Sequence, residues 1–235
     1  MSSYDSIRAF ARRVESQLTR IDIVIFNAGM IKHKFVIVED TGHEESLQVN
    51  YLFTMFLSIL LFPILKAKGP PSGEPAHLTI LSAALALAAK FSNQAANPLL
   101  AYFDNPKTFD GRELYHTSQL LAHIFLWNLV DYVSAKDVIV NLAGPAWCRG
   151  TGLGRDAEEA MKVFMKLFGL LGGTPKVGAS CFVDEIRPFT KVPRSLTTLL
   201  YTPEGKELTQ CVWEETLAEL QFAGVRDIFE SMKRR

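Results

Sequence analysis

Three short, β-branched apolar runs, separated by long stretches of helical periodicity, constrain this chain more than any other feature. They are Ile21 to Phe26 (IDIVIF), His77 to Ser82 (HLTILS) and Val138 to Leu142 (VIVNL). Runs so short and so uniformly apolar are expected of strands buried within a parallel sheet. The segments between them are long enough for crossover helices, and such crossovers are right-handed. The predicted class is therefore α/β, a doubly wound parallel sheet in one domain spanning residues 1–235.

The helical segments follow from spacing. Ile7, Phe10, Ala11, Val14 and Leu18 recur at helical intervals over Ser2 to Leu18, with Ser3 and Ser6 available as caps. A long apolar helix is predicted from Glu44 to Lys66, stopped by Gly69-Pro70-Pro71-Ser72-Gly73. Within it, Val49 to Leu65 falls short of the ~20 residues a membrane span requires and contains Pro63, so a buried helix is expected. Further helices are predicted over Glu113 to Val133, Arg155 to Leu171 and Glu207 to about Lys233.

Composition bounds the function. Of 235 residues 48% are hydrophobic, enough for a substantial core, and 25 basic residues balance 25 acidic ones. No basic stripe suggests nucleic-acid binding. Cys148, Cys181 and Cys211 are far apart and odd in number, and neither they nor His33, His43, His77, His116 and His123 show metal-ligand spacing. They read as reduced thiols and as structural or exposed histidines of a cytoplasmic protein, with no metal expected. Asp104, Asp110 and Glu113 read as loop solvation and helix capping.

In open α/β sheets ligands bind beyond the carboxyl ends of the strands, so the residues just past each run carry the most weight. Asn27-Ala28-Gly29 follows the first run, Ser82 ends the second, and Asn141-Leu142-Ala143-Gly144-Pro145-Ala146-Trp147 continues the third, with Thr151 beyond. Asn50 lies near the start of the long apolar helix, and Tyr115-His116-Thr117-Ser118-Gln119 opens the next. Taken singly, these residues have ordinary readings: a turn, a helix cap, an amphipathic packing tyrosine.

In order and spacing, however, the set resembles the short-chain dehydrogenases/reductases. Tyr201-Thr202-Pro203-Glu204-Gly205 and Trp213-Glu214-Glu215-Thr216-Leu217 are similar to the retinol-dehydrogenase-like fungal branch of that family. The resemblance covers essentially the whole chain and implies a Rossmann-like fold. It implies Tyr115 as proton donor, Asn50 as the helix asparagine that locks a local helix distortion and holds a relay water, and Ser82 near the substrate oxygen. It also implies Asn27, Gly29, Tyr115 and Thr151 on the cofactor side, NADP(H) as cofactor, and a carbonyl or alcohol of a small secondary metabolite as substrate.

Departures from the pattern sharpen the reading. Gln119 stands where the family carries a lysine, Ser82-Ala83 where it carries two serines, and Gly144-Pro145 inverts its Pro-Gly order. No Thr-Gly-x-x-x-Gly-x-Gly turn occurs, so the family's first βα units, on the order of 60 residues at ~30 per unit, are expected to be missing. The stretch Ser180 to Phe189 reads as a compressed last-strand region. An edge at Ile21 to Phe26 would be apolar and unprotected, and that edge or the helix at 44–66 would be the surface of a homo-oligomer. Three functions remain open on these residues: an NADP(H)-dependent oxidoreductase, a non-redox isomerase, cyclase or dehydratase using Tyr115, and a catalytically inactive truncated homologue.

Overall fold

The computed structural model describes residues 3–153, 155, 169, 172–184 and 202–233. Helix α1 (Tyr4–Gln17) is capped by Ser3, whose side chain accepts the Ser6 N–H, and its last carbonyls are taken up by the Lys68 ammonium, which reaches the Glu15 and Leu18 oxygens. Strand β1 (Ile23–Phe26) follows, then the long helix α2 (Glu45–Lys68), β2 (Ala76–Leu81), a short α3 (Leu99–Tyr102), α4 (Gly111–Leu129) and β3 (Val138–Ala143). The chain closes with α5 (Pro175–Asp184), α6 (Pro203–Glu219) and α7 (Val225–Met232).

The three strands lie parallel in the order β1-β2-β3, with Ile25 beside Thr79 and Thr79 beside Asn141. Leu78 and Ile80 from β2, Val138 from β3 and, half-buried, Val24 and Phe26 from β1 share one sheet face and join the main core with α1, α2 and α4. Among the described residues β1 pairs only with β2 and so forms an edge of the sheet; on its opposite face Ile23 and Ile25 are 46% and 43% exposed. Helix α2 is long and apolar enough to cross a membrane, yet 89% of its most apolar window is buried inside the protein. That burial makes α2 a core helix and removes it as an oligomer surface.

Several sequence expectations are corrected. The single C-terminal helix is two helices, because the chain turns at Gly224 with φ +65°, a left-handed conformation that favours glycine. Ser180 to Asp184 is helical rather than part of a strand, since Pro175 opens α5. The helix expected over Arg155 to Leu171 lies outside the described residues, apart from 155 and 169. The Tyr115 helix begins earlier, at Gly111, capped by Asp110. A Cβ at Gly111 would sit 2.0 Å from the Lys32 carbonyl oxygen, so only glycine lets α4 dock this closely.

The C-terminal helices are held by stacked rings and by a polar latch. Trp213 of α6 stacks on Phe125 of α4 and on Tyr132 at 4.7 and 4.8 Å, with Phe229 of α7 at 5.0 Å. Asp104 is not a solvated loop residue: its carboxylate meets His43 Nδ1 at 2.9 Å and accepts the Glu44 N–H at 2.7 Å. His43 Nε2 faces Glu219 at 3.3 Å, and Tyr4 donates to the same carboxylate at 2.9 Å. With a carboxylate at each ring nitrogen, both nitrogens must carry protons, and the ring is an imidazolium. Burial opposes that charge, but the two carboxylates outweigh it and raise the His43 pKa to about 9. Glu44, fully buried, caps α2 by accepting the Ser46 and Leu47 N–H groups, and burial raises its pKa to about 7.

Both groups bind protons more tightly in the folded chain, so both favour folding at low pH and lose that advantage as pH rises. The Glu44 contribution fades between pH 4.5 and about 7, and that of His43 between 6.5 and about 9. In urea denaturation, stability is expected to fall by on the order of 2 kcal/mol across the histidine window. His43→Gln should flatten that limb while lowering stability at pH 6.

Candidate active site

The loop after β1, the start of α2 and the start of α4 converge beyond the carboxyl ends of the strands, and Asn50 joins them. Its Oδ1 accepts the Met30 N–H at 2.9 Å; its Nδ2 donates to the Met30 carbonyl at 2.9 Å and to Ser118 Oγ at 3.1 Å. Asn50 is therefore not a helix cap, a role taken by Glu44. It sits inside α2, in a π-helical turn over Gln48–Leu52. Such a turn leaves local carbonyls displaced from the α ladder, and Thr54 Oγ1 donates to the Val49 carbonyl at 3.0 Å. A local helix distortion is therefore present at this asparagine.

Ser118 links Asn50 to α4, since it also donates to the Tyr115 carbonyl at 2.9 Å. Tyr115 lies in the second turn of that helix, only 6% exposed. No hydrogen bond reaches its hydroxyl among the described residues; its ring meets His116 edge-on at 6.2 Å. Burial raises its pKa, and no charged neighbour counters that shift. Gln119, one turn further, is 4% exposed and makes no side-chain hydrogen bond among the described residues. At position 119 the structure thus places a buried, uncharged amide one turn from the tyrosine.

Ser82 directly follows β2. Its N–H donates to the Ala143 carbonyl at 2.8 Å, tying the ends of β2 and β3, but its hydroxyl is engaged by His123 Nε2 at 2.9 Å. His123 stands eight residues after Tyr115 on the same stripe of α4, and burial lowers its pKa to about 4, so the ring is neutral. Of the other expected residues, Gly29 runs its backbone beside Asn50, whose Oδ1 would be 3.6 Å from a Cβ placed there. Asn27 precedes it in the same loop. Thr151 lies on an exposed turn, donating to the Cys148 carbonyl at 3.3 Å, and no hydrogen bond joins it to Tyr115 or Asn50 among the described residues.

Sequence reasoning did not single out Ser118, Met30 or His123. Ser118 could have been found from its place inside the Tyr115 to Gln119 run, and His123 from helical spacing. Met30 acts through its backbone and leaves no signal in residue type. Past β3, Pro145-Ala146 occupies the bend, and Ala146 takes a left-handed φ of +56°. An alanine there costs roughly 1 kcal/mol that glycine avoids. Among the described residues no group of His, Cys, Asp and Glu could hold a metal ion.

A parallel α/β sheet with asparagine, tyrosine and serine at its carboxyl end defines a class of Rossmann-like enzymes, and comparison with known proteins makes the assignment specific. A short chain dehydrogenase/reductase, mfmJ, of Annulohypoxylon moriforme is 52% identical over 244 residues, covering 99% of this chain and 71% of the relative. Short chain dehydrogenase virL of Hypocrea virens is 37% identical, covering 100% of this chain and 71% of the relative. This chain belongs to the short-chain dehydrogenase/reductase family. No family model matches it. Among solved structures, a short-chain dehydrogenase from Sphingobium yanoikuyae in complex with NADPH superposes with a TM-score of 0.52 at 17% identity, over 100% of this chain and 73% of that one. An uncharacterised protein from Mycobacterium Paratuberculosis gives 0.54 at 17% identity, over 94% and 73%. These two likenesses bear on the fold alone.

Two variants test the geometry. Asn50→Ala leaves the Met30 N–H and carbonyl without their partner and should cost about 2–4 kcal/mol in chemical denaturation. Ala146→Gly should raise stability by about 0.5–1 kcal/mol, read as a higher urea midpoint at unchanged slope.

Proposed function

We propose that the chain is an NADP(H)-dependent oxidoreductase acting on a carbonyl group of a small secondary metabolite, with Tyr115 at the reacting oxygen. The observation that carries this reading is the Asn50 bridge. One side chain joins the loop past β1 to the Tyr115 helix through a π turn, an arrangement with a use at the strand ends and none in the core. Kinship with named dehydrogenases supports the reaction class.

The chain's own residues suit one end of such a cofactor. Asn27, Tyr115, Gln119 and Thr151 offer uncharged hydrogen-bonding groups of the kind a nicotinamide and its ribose accept. Glycine-rich strand-to-helix turns, the usual cradle for the phosphates, do not occur in the sequence. When bound, the cofactor supplies hydride to the substrate carbon. Tyr115 donates a hydrogen bond and then its proton to the substrate oxygen, while Asn50 and Ser118 fix the depth of α4 against the strand ends. Burial around Tyr115 strengthens that hydrogen bond by excluding competing water.

A second reading is favoured by one feature, the absence of a cation at position 119. A buried neutral phenol suffices to polarise an oxygen in an isomerisation or dehydration, with no redox step.

Fluorescence transfer from the tryptophans to NADPH separates the two. The oxidoreductase reading predicts saturable transfer, and NADPH consumption with a carbonyl substrate that Tyr115→Phe lowers by at least about a hundredfold. No saturable signal at millimolar NADPH or NADH, with conversion still measurable in their absence, would establish the non-redox reading.

A further inference from the structure

We propose that His123 is a positioning residue: its Nε2–H donates to Ser82 Oγ and holds that hydroxyl beyond the carboxyl end of β2, so that the hydroxyl hydrogen is left to bind the substrate oxygen. The inference deepens the oxidoreductase reading and rests on it for the identity of that oxygen.

The main chain sets up the pair. Side chains alternate along a strand, and Leu78 and Ile80 of β2 lie on the sheet face that joins the core with α4. Ser82 continues that alternation just past the strand end, where its N–H is already taken by the Ala143 carbonyl at 2.8 Å. The backbone is thereby fixed, yet the hydroxyl is still free to occupy three staggered positions. His123, 41 residues later in the chain, reaches it from α4 and selects one of them, Nε2 lying 2.9 Å from Oγ. Leu121, Ala122, Ile124 and Phe125 on either side of His123 are buried, which fixes the helix beneath the ring.

The ring chemistry decides what the hydroxyl has left to give. Burial lowers the His123 pKa to about 4, so at pH 7 the ring carries one N–H and one bare nitrogen. Two arrangements fit the same contact. If the bare nitrogen faces Ser82, the hydroxyl gives its only hydrogen to the ring and presents a substrate with lone pairs alone. If Nε2–H faces Ser82, the hydroxyl accepts from the ring and its hydrogen remains for a substrate oxygen. Only the second arrangement lets Ser82 donate outward, and it is the one the inference requires. The two bonds then run in series, ring to hydroxyl to substrate, and each strengthens the other by about 10–30%. An oxygen that accepts from Ser82 as a carbonyl still accepts from it as an alcohol, so the arrangement serves both directions of turnover.

The size of the effect follows. An apolar side chain at position 123 returns the hydroxyl to three wells of which one is productive, a factor of about three, and loss of the polarising bond brings the total to about tenfold. Glutamine keeps an amide N–H at similar reach and so keeps the donor.

A double-mutant cycle tests the inference, with NADPH and phenanthrenequinone as the carbonyl probe. His123→Leu is expected to lower kcat/KM about tenfold and Ser82→Ala at least as much. The double variant should be no slower than Ser82→Ala alone, because His123 acts only through that hydroxyl. His123→Gln should recover most of what His123→Leu loses. Losses that multiply in the double variant are those of a merely structural histidine and would overturn the inference. ¹⁵N NMR of the wild-type imidazole guards against variants that fold poorly. The proton is expected on Nε2, with a resonance that moves in Ser82→Ala; a proton on Nδ1 would also overturn the inference. A wild type that reduces no carbonyl with NADPH or NADH would count against the oxidoreductase reading, and an Nε2–H that responds to Ser82→Ala would then leave the positioning of the hydroxyl standing.

Discussion

The side-chain amide of Asn50 is the constraint on which the rest of the site depends. It fills both hydrogen-bonding groups of Met30 and still reaches Ser118, so three chain segments distant in sequence share one buried side chain. An amide can do this because it offers an acceptor and two donors in one plane; an aspartate would lose the donors and bring a charge. The π turn places that amide where it meets the loop, at the cost of a carbonyl that Thr54 then satisfies.

Around this anchor the molecule distributes its polar groups unevenly. At the amino end of α2 a buried carboxylate cap, an imidazolium and two further carboxylates hold helices α1, α2 and α6 together. The carboxyl end of the sheet carries uncharged groups: Asn50, Ser118, Ser82 with His123, and the stripe Tyr115, Gln119, His123. Among the described residues charge thus serves the scaffold, and the candidate site at the strand ends is built from neutral donors and acceptors whose hydrogen bonds gain strength from burial.

The sheet's opposite face is a different matter. Ile23 and Ile25 lie open on β1, and His77 Nδ1 and Thr79 Oγ1 are buried there without partners. Apolar β-branched residues alternate poorly with solvent, so the pattern that made these runs legible as interior strands describes a sheet face that the described helices do not cover. The largely apolar α2 poses no such question, because it is mostly buried in the core it shares with the sheet, α1 and α4.

Much of the architecture was legible in residue order. Helical spacing and β-branched runs give the three strands and helices α1, α2 and α4 to within a few positions, and Asp110 and Ser3 are recognisable caps. The break at Gly224 and the helix at Pro175 were less so, since one glycine or proline in a periodic stretch is compatible with either outcome. In the site, the identity of Gln119 alone removes the activating cation, because no fold can give an amide a charge. Whether another residue replaces that cation is a question of neighbours in space, and it is tertiary structure that lowers the pKa values of His116 and His123, turns Ser82 toward His123 and leaves the Tyr115 hydroxyl without a hydrogen bond among the described residues. Residue types determined which charges exist; burial and proximity, set by segments far apart in the chain, decided which of them act.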